Sequence, residues 1–430
     1  NQGNFGADGI VGPHHEKEGS YYTIKQLWSP VQVMNTAIDR NFDGKLSVEN
    51  RYDYLNLNTC RFIWQQVKFP SVTDASNTTT RILKQGEVQG SDVAAHGVGV
   101  VDIKTSILPE ADALFLTVID KYGHELWRWT FPVDKLNRET EQFSASSGRA
   151  SYTETEKGIT VKANGRTFVF SKKDGQLKDV SVNNRKISFA NGPRFIGARR
   201  ADRSLDQFYN HDDEKAKAKD RTYSEFTDAA VFTKLDVKKE GGNLILTANY
   251  KLGNLDKAQW TINPSGDLAL DYTYNFSGVV DLMGICFDYP EEQVLSKRWL
   301  GAGPYRVWQN RIHGTQYDIW ENDYNDPIPG ETFTYPEFKG YFGSVSWMSI
   351  RTKEGTISLR NETPDSYIGV YQPRDGRDRL LYTLPESGIS VLNVIPPVRN
   401  KVNSTDLCGP SSQPKWVDGP QTGRLVLRFE

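Results

Sequence analysis

The chain has 430 residues, of which 37% are hydrophobic and 12% aromatic, so it can bury a large core, and its length predicts two or three domains. Its 52 Lys and Arg nearly balance its 54 Asp and Glu, which leaves no field that would attract nucleic acid or an anionic membrane. No apolar run approaches the roughly 20 residues that a membrane-spanning helix needs. We therefore expect a globular protein, with neither nucleic acid nor a membrane as its partner.

The stretch EKEGSYYTIKQLWSP, residues 16–30, predicts the one strong helix. Its apolar side chains recur at helical spacing, and a proline ends the stripe: Tyr21, Ile24, Leu27, Trp28 and Pro30. Just before it, His14, His15 and Glu16 could be taken for a metal site. Adjacent histidines in an extended segment point to opposite sides, so we predict no metal there.

The next stretch, DRNFDGKLSVEN at residues 39–50, looks like a calcium loop, because acidic and amide side chains alternate before a glycine. An EF-hand, however, needs flanking helices and a bidentate carboxylate at its twelfth position, where this chain has Asn50. The flanks are rich in β-branched residues or alternate with period two, which favours strands. We therefore predict a hairpin without calcium, with residues 42–45 as the turn and Gly44 at a positive φ.

Short alternating runs follow to the end of the chain, separated by Gly, Asn, Asp and Pro, as in CRFIWQQVKF, GITVKANGRTFVFS and RLVLRFE. Many strands at this spacing predict β-sandwiches. A Ser-rich polar stretch at residues 134–151 predicts a linker between two of them. The three cysteines, Cys60, Cys286 and Cys408, cannot all pair and lack zinc spacing, so we predict buried thiols.

Five separated patches resemble glycoside hydrolase family 2, in the order in which that family carries them. ADGIVGPHHEKEGSYYTIKQLWSPVQV is similar to the end of its catalytic barrel, and GKLSVENRYDYLNLNTCRFIWQQVK to the immunoglobulin-like domain that follows. The remaining three resemble parts of the last domain of β-galactosidases, the small-chain domain: FVFSKKDGQLKDVSVNNRKISFANGPRFIGARRADRS, WLGAGPYRVWQNRIHGTQYDIW and STDLCGP. The resemblance covers nearly the whole chain, and the shared order makes it more specific than any one patch.

The resemblance implies a mainly β chain in three parts. Residues 1–30 would be a remnant of the catalytic TIM barrel, with a loop and its last helix. Residues 31–135 would be an immunoglobulin-like β-sandwich, and residues 150–430 a large β-supersandwich of the galactose-mutarotase type. The helix would then lack its barrel partners, so we expect it to pack on the immunoglobulin-like domain. Part of its apolar stripe should stay exposed or be covered by a neighbouring chain.

The resemblance also implies that this chain carries no catalytic residue. Retaining glycosidases use two carboxylates about 5–5.5 Å apart, and in this family both stand on earlier barrel strands. We therefore expect no hydrolysis by the chain alone, and neither a metal nor a cofactor. Asn361-Glu362 matches the family's general-acid pair only by coincidence, because it lies in a polar turn.

Residues 305–320 are the candidate segment for carbohydrate contact, because aromatic rings there alternate with polar side chains that suit the apolar faces and hydroxyls of sugars. The candidates are Tyr305, Trp308, Asn310, Arg311, Tyr317, Asp318 and Trp320, together with Cys408, which aligns with a Trp that borders the sugar subsite in some family members. Alternating aromatics in a sandwich also commonly fill its core. Arg306 stands where the β-galactosidase pattern has Glu, so the resemblance does not extend to galactose specificity.

Two functions remain open. The first is the non-catalytic C-terminal region of a family 2 glycoside hydrolase, which supports the barrel of the same polypeptide and contacts an oligo- or polysaccharide. The second is a free-standing carbohydrate-binding or adhesion module. A mutarotase-like or lyase-like enzyme is disfavoured, because none of the six histidines lies in a matching motif. We expect a periplasmic or secreted rather than a cytoplasmic protein, and leave a homo-oligomer open.

Overall fold

A computed structural model describes residues 10–11, 15, 17, 19–73, 79–133, 148–200, 223–226, 228–323, 340–371, 385–397 and 409–430. His14, Glu16, Cys408 and most of the predicted linker therefore lie outside the described residues. Within these ranges one α-helix, α1 (Gly19–Leu27), precedes 27 strands, so the predicted mainly β fold is confirmed. No helix in the described part is long and apolar enough to cross a membrane.

The strands that follow α1 form a small sandwich of two antiparallel sheets. The three-stranded sheet has the order β1 (Val31–Val33), β2 (Lys45–Asn50), β5 (Val98–Asp102). The four-stranded sheet has the order β4 (Arg81–Gln89), β3 (Arg61–Lys68), β6 (Ala113–Ile119), β7 (Glu125–Pro132). Alternate residues of each strand point inward, so that Leu46 and Val48 of β2 share one buried core with Phe62 and Trp64 of β3.

The calcium-like stretch covers the second half of a hairpin connection and the strand β2 that follows, so the predicted hairpin is confirmed. β1 pairs antiparallel with β2, and Gly44 between them has φ +88°. Asn50 is fully buried, and its amide donates to the backbone carbonyls of Leu55 and Val93 at 2.8 and 2.9 Å. The connection spans residues 34–44 and is therefore longer than the predicted four-residue turn. At the twelfth position, a structural amide stands where an EF-hand has its carboxylate.

The remaining strands form a large sandwich of two antiparallel sheets. The first sheet has the order β22 (Phe342–Gly343), β25 (Tyr367–Gly369), β26 (Ile389–Val394), β19 (Leu282–Asp288), β13 (Ala190–Arg200), β11 (Leu177–Val182), β10 (Arg166–Ser171), β9 (Gly158–Ala163), β8 (Ser151–Glu154), with β12 (Arg185–Ile187) on β11 and β14 (Tyr223–Glu225) on β13. The second has the order β15 (Val231–Glu240), β16 (Asn243–Lys251), β17 (Leu255–Ile262), β18 (Leu268–Val280), β27 (Lys415–Phe429), β24 (Thr356–Asn361), β23 (Trp347–Thr352), β20 (Val294–Gly303), β21 (Gln316–Asp323).

Both large sheets contribute side chains to one core between them. Aromatic rings form its centre, where Phe189 stacks on Phe287 at 4.6 Å between ring centroids and Trp260 meets Phe287 edge-on at 6.0 Å. All three side chains are fully buried, and each contributes roughly 2–3 kcal/mol through its removal from water. The core thus holds the strand ends, and the turns between them, in fixed positions.

The small sandwich packs on the nine-stranded sheet, on the face that points away from the large core. Phe69 and Phe115 of the small sandwich form one buried cluster with Leu300 of β20 and Trp347 of β23. The indole Nε1 of Trp347 donates to the backbone carbonyl of Pro70 at 3.2 Å. Apolar side chains of the two sandwiches are therefore buried against each other.

Candidate functional site

Three segments that lie far apart in sequence meet at one edge of the large sandwich. They are Lys17 and residues 19–28 with α1, residues 304–314 of the connection between β20 and β21, and the turn 409–413 before β27; we call their meeting point the junction. Thr23 Oγ1 donates to the backbone carbonyl of His313 at 2.9 Å, and the backbone N–H of Gly314 donates to Gln26 Oε1 at 2.6 Å. These bonds attach α1 directly to the segment predicted to contact carbohydrate.

Tyr305 is the aromatic member of the junction. Its ring packs on that of Tyr22 in α1 at 5.4 Å between centroids, and its hydroxyl donates to the backbone carbonyl of Lys17 at 3.2 Å. Gly19 lies against the same ring, because a Cβ at that position would come within 3.6 Å of it. The helix therefore covers one side of Tyr305.

Two amide side chains attach the connection 304–314 to the turn 409–413. Gln309 Nε2 donates to the backbone carbonyls of Ser411 and Gln413 at 2.8 and 2.6 Å. Asn310 Nδ2 donates to Ser412 Oγ at 2.9 Å. Arg311 follows in the same tight turn, where its backbone pairs with that of Trp308. Asn310 is thus bonded to the turn 409–413, which follows Cys408 in the sequence.

Trp308 lies in the core rather than at the surface. It is 4% exposed, belongs to a cluster with Val307 and Leu392, and meets the ring of Tyr341 edge-on at 5.6 Å. The structure therefore separates Trp308 from the exposed members of the predicted site.

The last three candidates lie on β21, away from the junction. Asp318 accepts from Thr80 Oγ1 at 2.6 Å and from Arg128 Nη2 at 2.9 Å. Tyr317 meets Phe69 edge-on at 5.6 Å, and Trp320 Nε1 donates within its own hairpin to the carbonyls of Gly301 and Gln316. Asp318 and Tyr317 therefore contact the small sandwich, and Trp320 packs against the large core. Their contact with carbohydrate stays a prediction.

Glu362, in the Asn-Glu pair, is held by ion pairs. Its Oε1 lies 2.6 Å from an Arg360 guanidinium nitrogen and its Oε2 lies 3.0 Å from Arg424 Nε. Arg424 in turn binds Asp271 through both carboxylate oxygens, at 2.8 and 2.6 Å. Because both oxygens of Glu362 are engaged, the side chain has a structural role in this conformation.

A cavity of about 380 Å³, which sequence reasoning missed, opens where β13 begins and β19 ends. It is lined by Lys186, Ser188, Ala190, Asn191, Asp288, Tyr289, Pro290, Glu291, Glu292, Val370, Glu386 and Gly388. Asp288 accepts from Asn191 Nδ2 at 2.6 Å and pairs with Arg194. Burial raises the pKa of the Tyr289 phenol, so it stays protonated at neutral pH. The acidic run DYPEE, residues 288–292, was the sequence signal for this feature.

No three His, Cys, Asp or Glu side chains come together as a metal site in the described ranges. Cys60 and Cys286 are buried and unpaired, as predicted. Burial raises the pKa of the Cys286 thiol to about 11, so it is not a reactive thiolate at neutral pH.

A comparison with models of known protein families shows to which family the chain belongs. Residues 162–392 match the family model described as beta galactosidase small chain, which is more than half of the chain. The chain belongs to the beta-galactosidase small-chain family. The matched region of this small-chain protein runs from the end of β9 into β26 and includes the segment 305–320, so the predicted resemblance to the β-galactosidase small-chain domain is confirmed. The match leaves out α1, the small sandwich and β27.

No curated protein sequence matches the small-chain protein significantly. Among solved structures, a galactose 1-epimerase from Lactobacillus acidophilus is 9% identical and covers 66% of this chain and 99% of its own, with a TM-score of 0.36. YidC from Thermotoga maritima is 13% identical over 66% of this chain and 51% of its own, with a TM-score of 0.24. A cycloalternan-forming enzyme from Listeria monocytogenes is 9% identical over 95% of this chain and 31% of its own, with a TM-score of 0.17.

Proposed function

We propose that this chain is the non-catalytic C-terminal region of a family 2 glycoside hydrolase, and that it supports a catalytic barrel and contacts the carbohydrate substrate at the junction. The barrel would belong to the same polypeptide, and the substrate would be an oligo- or polysaccharide. A periplasmic or secreted location is part of the proposal. Membership of the small-chain family supports the association with a glycosidase.

The observation that carries the proposal is the uncovered apolar side of α1. No residue of the helix is fully buried, and Leu27 and Trp28 at its C-terminal end are 46% and 79% exposed. One side of the helix is nevertheless fixed to the connection 304–314, and Lys25 pairs with Glu125 of β7 at 2.8 Å. The helix thus contacts the small sandwich, as the sequence predicts, and is bonded to the large sandwich as well. A helix anchored on one side and apolar on the other suits a further folded partner.

The junction also has the groups that a sugar subsite would need. Tyr305 supplies a half-buried ring, Asn310 and Arg311 supply half-buried hydrogen-bonding groups, and His313 is exposed beside them. Sugars bind through stacking on rings and through hydrogen bonds from such side chains. We therefore place the proposed carbohydrate contact at the junction, next to the side of α1 on which the barrel would pack.

The test is association between this chain and the barrel encoded upstream of it in the native reading frame. We expect the two purified parts to bind each other and to hydrolyse a nitrophenyl glycoside only together. Trp28→Ser with Leu27→Ser should weaken binding at least about tenfold, the effect of losing a few buried apolar contacts. Tyr54→Ser is the matched control, because Tyr54 is 95% exposed and lies outside the junction.

The same experiment separates the proposal from a free-standing carbohydrate-binding or adhesion module. A module would bind polysaccharide without any barrel, and its reading frame would carry no upstream barrel strand that ends in an Asn-Glu pair. Binding that is unaffected by the Leu27 and Trp28 substitutions would also contradict the proposal.

A further inference from the structure

The longest strand pair of the molecule extends beyond the sheet that contains it. β17 pairs with β18 only as far as Tyr274, and β24 pairs with β27 only from Leu425 onward. As strands, residues 275–280 of β18 and 415–420 of β27 pair only with each other, and the Asn275 N–H at the start of the segment still donates to the Asn254 carbonyl at 2.8 Å. We call these twelve residues the ribbon.

The two faces of the ribbon differ sharply. Phe276 and Val417 point inward and pack against the large core, which fixes the register and therefore the direction of every alternate side chain. Trp416 points outward and is 69% exposed. Ser277 and Asp418, which lie opposite each other in the next outward pair, are exposed as well.

We propose that the outward face of the ribbon is an accessory carbohydrate-binding surface, on which a pyranose ring of a polysaccharide stacks on Trp416. Outward positions on one strand are about 7 Å apart, so a ring on the indole places its hydroxyls next to Asp418 and Ser277. A carboxylate and a hydroxyl can accept and donate hydrogen bonds to such hydroxyls. The inference takes its ligand class from the proposed function.

Charge also disfavours an anionic ligand on this surface. Lys415 lies opposite the buried Val280 and so belongs to the inward row, which leaves Asp418 as the one charged side chain among the outward positions of the ribbon. The surface begins three residues beyond Gln413, which is bonded to Gln309 at the junction. A polysaccharide bound at the junction could therefore continue onto Trp416.

The test is affinity electrophoresis of the whole chain in gels that contain galactan, arabinogalactan, xyloglucan or glucomannan. We expect at least one polysaccharide to retard the chain. Trp416→Ala should weaken this binding about tenfold, as expected for one lost stacking contact, and Trp416→Tyr should keep most of it. Tyr122→Ala is the matched control, because Tyr122 is 71% exposed on the small sandwich.

Several outcomes would overturn the inference: no retardation by any of the four polysaccharides, or equal retardation of Trp416→Ala and the wild-type chain. A dimer in sedimentation velocity that Trp416→Ala dissociates would instead assign the face to a second copy of the chain. If Trp416→Ala fails to fold, Ser277→Ala with Asp418→Ala replaces it and should weaken binding about threefold. The Trp416→Ala chain should still bind the barrel. The barrel-binding experiment therefore tests the proposed function, and the electrophoresis tests the ribbon, independently of each other.

Discussion

At the scale of single residues, Asp318 shows that a side chain suited to sugar chemistry can also hold two parts of the fold together. Its carboxylate and the Arg128 guanidinium are 15% and 21% exposed and lie 2.9 Å apart. The guanidinium also lies over the ring of Phe115 at 4.4 Å. A charge-assisted bond that is shielded from water in this way is worth more than a pair on the open surface. Asp318 thus joins the small sandwich to the edge of the large one.

We expect Arg128→Ala to lower the free energy of unfolding by about 2 kcal/mol, because it leaves the Asp318 carboxylate without its cation. Urea denaturation of the chain measures the change. Arg61→Ala is the control: Arg61 and Glu87 lie 3.1 Å apart but are 44% and 45% exposed, so its loss should cost less than about 1 kcal/mol. Equal effects of the two substitutions would contradict a stabilising role for the Arg128–Asp318 pair.

Cys286 gives a second prediction for a single residue. The residue is 2% exposed, and burial raises the pKa of its thiol to about 11, so the reactive thiolate is scarce at pH 8. Iodoacetamide should leave Cys286 unmodified in the native chain and alkylate it in urea, as measured by peptide mass spectrometry. Alkylation at the same rate in both states would show that the thiol is accessible.

At the scale of elements, the connection between β1 and β2 orders its acidic side chains through local bonds. The backbone N–H of Asn41 donates to Asp39 Oδ1 at 2.8 Å, and that of Lys45 donates to Asp43 Oδ1 at 3.0 Å. The second bond lowers the pKa of Asp43. Such Asx turns explain the alternation of Asp and Asn without a bound metal.

Millimolar calcium should therefore leave the melting temperature of the chain unchanged, in the wild type and in Asp43→Ala alike. Asn50→Ala should instead lower the stability by about 2 kcal/mol, because the half-buried Leu55 carbonyl loses its amide donor, the Val93 carbonyl keeps only the Leu57 N–H, and the Tyr52 N–H loses its acceptor. Calorimetric melting with calcium and with a chelator measures both effects. A calcium-dependent rise that Asp43→Ala removes would mean that the connection binds the ion.

Local patterns predicted the elements well, and long-range contacts explain where the site predictions were incomplete. The α1 stripe, the strand alternation and Gly44 at positive φ all depend on residues within about ten positions of each other. The burial of Trp308 and the contacts of Asp318 depend on partners far away in sequence, Leu392 at 84 residues and Arg128 at 190. The spacing of residues within 305–320 therefore could not predict that Trp308 is buried or that Asp318 pairs with Arg128.

At the scale of the whole molecule, the order of the strands ties distant parts of the chain together. β27, the last strand, lies in the middle of the nine-stranded sheet between β18 and β24. The turn 409–413 that leads into it bonds to Gln309 and Asn310. Loss of the last strand would therefore disturb the junction as well as the core.

We propose that this fold contacts the barrel and the carbohydrate, and we expect the chain alone to hydrolyse no glycosidic bond. Retaining glycosidases need a proton donor and a nucleophile about 5–5.5 Å apart, whereas the ion pairs of Glu362 and Asp271 with Arg424 engage both carboxylates. The purified chain should therefore cleave nitrophenyl-galactoside no faster than buffer does, and the chain joined to its barrel is the positive control. Turnover that survives repurification and disappears in Glu362→Gln, or on another single Asp or Glu substitution, would place a catalytic site within these residues.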